Sequence, residues 1–312
     1  MSLAVRRYEP GDADDWDAFA ARSRGAHFLF QRGYMDYHSD RFEDHSLLVE
    51  EDGHLVALLP ANRDGTTLAS HAGLTFGGFL TDDAMSARRM LAIFDAATEH
   101  LRAQGIESCL YKAVPHIYHR VPAEEDLYAL FRAGARLVRR DVASAIRLDA
   151  RLPYTKGRRA AVKAAPRAGV EVARSDDYAA FMELQRAVLR DRYGAEPVHT
   201  APELTLLANR FPENIALHTA TIDGRLEAGI VLYETAFVSH CQYIAVSATG
   251  RDAHALDLLA DTLIERCEGR RRWWDFGTST DPSGGALNEA LVRNKESYGA
   301  RAVAHDQYLL EL

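Results

Sequence analysis

The chain repeats itself across about half its length, and this limits the possible folds more than any local pattern does. Gly134-Ala135-Arg136-Leu137-Val138, with Asp141 behind it, returns as Gly299-Ala300-Arg301-Ala302-Val303 with Asp306, both at a spacing of 165 residues. Asp14-Asp15-Trp16 and Asp176-Asp177-Tyr178, Asp52-Gly53 and Asp223-Gly224, and Ser70-His71 and Ser239-His240 follow in the same order at spacings of 162 to 171. A period this long means two similar domains; stacked repeats have units of about 20 to 50 residues. The expected division is 1–150 and 151–312, each with enough apolar residues for its own core, since 47% of the chain is hydrophobic.

Several classes of protein are set aside by the same sequence. No apolar run approaches the roughly 20 residues of a membrane helix, and Met1-Ser2-Leu3-Ala4-Val5-Arg6-Arg7 lacks the apolar core of a secretion signal, so the expected location is the cytoplasm, without integral membrane contact. Cys109, Cys241 and Cys267 lie in apolar stretches without pairing or metal-type spacing, which suits buried thiols in a reducing compartment. His116 and His119 stand on a loop beside Pro115 without a third ligand, and no metal is expected. A net charge of −8 gives no general attraction to nucleic acid, so DNA is not an expected partner and any phosphate contact must come from a local basic patch.

Both halves set out the same elements. Helices are expected at 16–22 and 176–190, the latter with Phe181, Leu184, Val188 and Leu189 on one stripe. Strands at 46–50 and 54–60 flank Glu51-Asp52-Gly53, and strands at 215–222 and 226–233 flank Asp223-Gly224-Arg225; both are hairpin signals. The stretch 237–246 alternates, placing Phe237, Ser239, Cys241, Tyr243 and Ala245 on one face and Val238, His240, Gln242, Ile244 and Val246 on the other. Amphipathic helices follow (Met90, Ile93, Phe94, Ala97, Leu101; Leu256, Leu259, Leu263, Cys267), then strands at 108–112 and 272–276, short helices at 124–132 and 287–294, and long strands at 135–148 and 300–310. The fold class is α+β: in each half a mixed, mostly antiparallel sheet flanked by helices.

Three stretches carry a family likeness: the basic run Thr155-Lys156-Gly157-Arg158-Arg159 through Val162-Lys163 to Pro166-Arg167 and Gly169-Val170-Glu171-Val172; Trp274-Asp275-Phe276-Gly277; and Asn294-Lys295-Glu296-Ser297-Tyr298-Gly299-Ala300. Together with the element order, they resemble the GNAT acyltransferase fold, duplicated as in the Fem-type aminoacyltransferases and their FemAB-like relatives. The last two stretches are similar to that family's aromatic-Asp-Phe-Gly strand end and its Phe-Lys-x-x-Phe-Gly. Asn294 departs from the aromatic that usually precedes the lysine, and the first half has no such lysine motif.

The resemblance implies attack of an amine on an activated carbonyl, with donors waiting where negative charge develops and with no side-chain nucleophile. It places a gap between splayed strands beside 237–246. It makes Lys295 a cation for the oxyanion or for donor phosphates, with a solvated helix lysine as the plain alternative. Asp275 is expected to orient Lys295 or the amine, or simply to form the strand-end turn. Ser239 and Tyr243, on one face, are candidates for proton relay, although packing suffices for Tyr243; His240, on the other face, reads as a satisfied core histidine. Gly277 and Tyr298 belong to the matched motifs. Lys156, Arg159 and Lys163 fall on one helix face that suits phosphates, with Arg158 and Arg167 nearby, or else form a solvated charge run.

Choice of donor turns on one loop. CoA-dependent relatives cradle a diphosphate on a glycine-rich turn at a helix N-terminus; here the matching stretches are Ser247-Ala248-Thr249-Gly250-Arg251-Asp252 and Thr81-Asp82-Asp83, whose carboxylates disfavour a diphosphate, with Arg251 as partial compensation. The expected activity is transfer of an aminoacyl group from aminoacyl-tRNA, bound through its acceptor end, to an amine of a small molecule or peptide, with no tightly bound cofactor. The alternatives are an acyl-CoA-dependent N-acyltransferase of the same fold and a non-catalytic binding protein.

Overall fold

The protein is described by a computed structural model covering residues 3–281 and 284–312. It divides into two compact units, Met1–Val142 with Ala304–Leu312, and Ala143–Val303.

In the first unit, β1 (Leu3–Arg7), α1 (Ala13–Arg22) and the single turn α2 (Arg32–Met35) precede β2 (Glu43–Asp44) and the hairpin of β3 (Leu47–Glu51) and β4 (His54–Leu59). Asp52 and Gly53 both take positive φ, 51° and 79°, the twist that a tight hairpin turn requires. Pro60 lacks the N–H that would continue the ladder, so the strand resumes only as β5 (Asn62–Asp64), paired with β6 (Thr67–Ala69). After β7 (Leu80–Thr81) come α3 (Ala87–Ala103), β8 (Ser108–Lys112), α4 (Glu125–Arg132) and β9 (Arg136–Arg147). The sheets run β1-β3-β4-β7 and β8-β6-β5-β2. Met90, Ile93, Phe94 and Leu101 of α3 close the core over Leu47, Val49 and Leu59. Lys112 is buried, with its ammonium on the carbonyls of Ala72 and Leu74; loss of hydration pulls its pKa down to about 8.

The second unit contains α5 (Lys156–Ala164), β10 (Glu171–Ser175), α6 (Tyr178–Tyr193), α7 (Ala201–Arg210), β11 (Ile215–Ile222), β12 (Arg225–Glu234), β13 (Val238–Val246), α8 (Ala248–Asp252), α9 (Ala255–Cys267), β14 (Trp273–Thr278), α10 (Glu289–Glu296) and the start of β15 (Arg301–Glu311). Asp223 and Gly224 turn the hairpin with the same signs of φ as Asp52 and Gly53, 49° and 72°. The strands run β10-β11-β12-β13-β14-β9, antiparallel except for β13 beside β14. Leu259, Leu263 and Ile264 of α9 pack with Leu232, Cys241, Trp274 and Phe276.

Strand pairing moves the last strand of each half. Residues 143–147 of β9 pair with β14, and Gln307 to Glu311 of β15 pair with β8, so 143–150 group with the second unit and 304–312 with the first, whereas a cut at 150/151 assigns both the other way. A parallel strand pair recurs in both halves: Thr67–Ala69 run parallel to Ser108–Leu110 as Val238–His240 run parallel to Trp273–Asp275.

One glycine holds the junction of the lysine motif. Gly299 has φ +85°, and a Cβ there would meet the Leu152 carbonyl oxygen at 2.4 Å. Gly299→Ala is expected to cost about 2 kcal/mol or more, read from a urea unfolding midpoint.

Candidate active site

Strands β13 and β14 pair for only three residues, Val238↔Trp273, Ser239↔Trp274 and His240↔Asp275, and then part. Beyond that point β13 runs on to Val246 and β14 to Thr278, which opens the gap expected beside 237–246. The first unit lacks this continuous strand: β6 ends at Ala69 and β7 begins at Leu80, with the loop 70–79 in place of the splayed segment. Among the described residues, an unbroken strand lines such an opening only in the second unit.

On the β14 side, Asp275 is fully buried; one carboxylate oxygen accepts from Gly277 N–H (2.8 Å) and the other faces His240 Nδ1 (2.8 Å). Gly277 takes φ +72°, and a Cβ there would stand 3.2 Å from His240 Cε1, so the missing side chain is what leaves room for the imidazole. Lys295, 4% exposed, donates from Nζ to the carbonyls of Gly277 and Thr278, both at 2.8 Å. Desolvation draws its pKa down to about 8, against the attraction of Asp275 and Cys241. Lys295, Asp275 and Gly277, all expected from the motifs, thus meet at one strand end, and His240 joins them. The lysine is no solvated helix residue, and His240 is a satisfied histidine, its partner being the buried Asp275 carboxylate.

The shared face expected for Ser239 and Tyr243 is corrected by a bulge. The β12 partners run Val231↔Tyr243 and then Leu232↔Cys241, so Gln242 is the extra residue. Before it, Ser239 meets Cys267 of α9 and Glu234, and Cys241 packs into the α9 core. Beyond it, Ile244 and Val246 pack on that core, while Tyr243 turns to the opposite side and joins His199, which precedes α7. Ser239 is fully buried among these partners, and burial raises the Tyr243 hydroxyl to about 12. Tyr243 and His240 therefore lie on the α6/α7 side of the sheet, and Ser239 on the α9 side.

The remaining candidates are more dispersed. Tyr298 is buried, edge-on to Tyr154 and against Phe276, and receives a hydrogen bond from Arg158 (2.9 Å). Arg158 also pairs with Asp257 and donates to Ser297 (2.9 Å), so it turns inward and is not part of a phosphate surface. Lys156, Arg159 and Lys163 are exposed on α5, as is Arg167 beyond it; Arg159 also reaches the Tyr154 carbonyl.

At the turn into α8, Ser247 Oγ accepts from Gly250 N–H (2.8 Å) and donates to the carboxylate of Glu227, which is 8% exposed. Arg251 donates to the Val246 carbonyl (3.1 Å). The carboxylate behind the turn is thus Glu227 and not Asp252, which ends α8. In the first unit Asp82 caps Ala84 N–H (3.0 Å) and Asp83 pairs with Arg120. Among the described residues no group of three His, Cys, Asp or Glu could hold a metal, and no helix is long and apolar enough to cross a membrane.

Comparison with known proteins agrees with this geometry. Residues 153–284 match the family model of the acetyltransferase (GNAT) domain. The crystal structure of FemX superposes with a TM-score of 0.72 at 13% identity, covering 99% of this chain and 97% of that one. The chain has a tandem GNAT fold like that of FemX. The tandem GNAT protein from the clavulanic acid biosynthesis pathway has a TM-score of 0.53 at 14% identity over 99% of this chain and 98% of that one. L-PGS from Bacillus licheniformis gives 0.58 at 13% identity over 96% and 90%. No curated protein matches the sequence. The matched residues 153–284 lie in the second unit and include the point where β13 and β14 part.

Proposed function

We propose that the second unit transfers an aminoacyl group from aminoacyl-tRNA to an amine of a small molecule or peptide, and that the first unit is a scaffold. The observation that carries the choice of donor is the turn into α8. A diphosphate needs free N–H groups, and here Gly250 N–H is spent on Ser247 Oγ with the buried Glu227 carboxylate directly behind it. Carboxylate and diphosphate repel in such a setting. The resemblance to Fem-type aminoacyltransferases points the same way, as does the exposed cationic face of Lys156, Arg159 and Lys163, suited to the phosphates of a tRNA acceptor end. Two N–H groups of Lys295 hold the carbonyls at the end of β14; the third, with the charge, serves the oxyanion of the attacked ester.

Offering the protein charged tRNAs and radiolabelled acyl-CoAs separately, each with a cell extract, tests this reading. Label is expected in amide linkage only from charged tRNA. Amide label from acyl-CoA alone overturns the donor, and label from neither favours the non-catalytic alternative. Reversing Lys156, Arg159 and Lys163 to glutamate is expected to weaken tRNA binding and to flatten its salt dependence, by roughly 0.7 to 0.9 logarithmic units of slope for each phosphate no longer neutralised. An unchanged slope would return α5 to an ordinary solvated face.

A further inference from the structure

We infer that His240 is the proton-accepting catalytic residue of the acyl transfer, that Asp275 is its positioning residue, and that the amine arrives from the α6/α7 side of β13. The inference rests on the acyl-transfer reading above, but not on the identity of the donor.

The amine loses a proton on becoming an amide, so a base within reach of the attacked carbonyl is required whichever donor is used. His240 stands at the last paired position of β13, where the strands begin to part. Its side chain is 12% exposed while Asp275 is fully enclosed, so part of the ring is open to solvent. The Asp275 carboxylate is fixed at one oxygen by Gly277 N–H and accepts Nδ1–H of His240 at the other. That bond selects the tautomer whose Nε2 carries the lone pair. The absent side chain at Gly277 leaves space beside Cε1, and the bond to Asp275 holds the ring there. Lys295 of α10 reaches the neighbouring Gly277 and Thr278 carbonyls, and His199 with the Tyr243 hydroxyl lies on the α6/α7 side of the sheet.

The step balances as follows. The amine nitrogen forms a bond to the carbonyl carbon, and the π pair moves to the oxygen. Nε2 takes one proton from that nitrogen. On collapse, the bond from carbon to the leaving oxygen or sulfur breaks, and the leaving group takes the proton from Nε2. The products are an amide and an alcohol or thiol, and the imidazole is restored.

His240→Gln and Asp275→Asn test this, each assayed with charged tRNA and with acyl-CoA, and with two nucleophiles. With an ordinary alkylamine, His240→Gln is expected to lower kcat by about 10² to 10⁴-fold. With O-methylhydroxylamine, which is neutral near pH 7 and sheds its proton readily to water, the deficit should shrink to about tenfold or less. Asp275→Asn should lower kcat with KM little changed, and with a smaller loss for O-methylhydroxylamine. An equal loss for both nucleophiles, or an undiminished kcat with alkylamine, overturns the assignment. Wild-type turnover of acyl-CoA alone removes the tRNA reading and leaves the assignment of His240 intact. If neither donor is turned over, nitrogen NMR of the wild-type imidazole decides: Nε2 should be unprotonated with hydrogen on Nδ1, and a proton on Nε2 overturns the inference.

Discussion

Lys295→Met is expected to lower kcat by about 10² to 10³-fold, with circular dichroism and chromatographic behaviour unchanged. The side chain is 4% exposed and delivers its charge to the end of β14, where the strands have parted. A cation there costs hydration in the free enzyme and recovers part of that cost only when negative charge appears on the substrate, so its effect falls on the transition state and on kcat more than on KM. Desolvation lowers its pKa to about 8, which fixes the direction of the pH dependence. Below that value the ammonium is present and transfer proceeds; above it the lysine becomes neutral and the rate should fall along a limb that is absent in Lys295→Met. Stability runs the opposite way. An unfolded lysine keeps its proton to about 10.4, so between about 8 and 10.4 the unfolded chain binds more protons and this residue's contribution to stability rises with pH. A wild-type kcat in the methionine variant would remove Lys295 from the chemistry and leave it as a brace for two carbonyls.

The elements whose signal is local were legible in the sequence. Asp52-Gly53 and Asp223-Gly224 turn their hairpins because aspartate and glycine tolerate positive φ, and Ile215–Ile222 and Ser108–Lys112 have the bounds that their apolar runs indicate. The motif of Lys295 was legible as well. What escaped depended on pairing between distant strands. Strict alternation along 237–246 assumes one residue per pleat, and the extra residue at Gln242 shows only in its register against Val231 and Leu232, so alternation alone puts Tyr243 on the wrong face. That His240 is satisfied was expected, but its partner was not legible: Asp275 is 35 residues away and meets it only through the parallel pairing. The carboxylate of Glu227 lies behind Ser247 because β12 and β13 are neighbours, which the loop sequence alone does not reveal. Helix α7 did have a local signal, the capping box of Thr200 and Glu203 with Pro202 in the first turn, and could have been found.

Asp257→Ala is expected to destabilise the protein by about 3 kcal/mol, because it leaves the Arg158 guanidinium without its counter-charge in a poorly hydrated place. The two side chains are 10% and 15% exposed, and the guanidinium lies 3.8 Å over the Tyr298 ring while donating to Ser297 and to the Tyr298 hydroxyl. A surface pair would be worth well under 1 kcal/mol, so the size of the change in urea unfolding distinguishes the inward role of Arg158 from a place in a solvated charge run. The double change Arg158→Met with Asp257→Leu should recover most of the loss, since both charges then leave together. The effect should also reach the chemistry. Arg158 grips Ser297, Tyr298 and the Asn294 carbonyl, which bracket Lys295 at the end of α10. With that grip released, the lysine is held less firmly against Gly277 and Thr278, so kcat should fall at temperatures where the protein is still folded. A variant that loses stability while keeping full kcat would separate the brace from the positioning of Lys295.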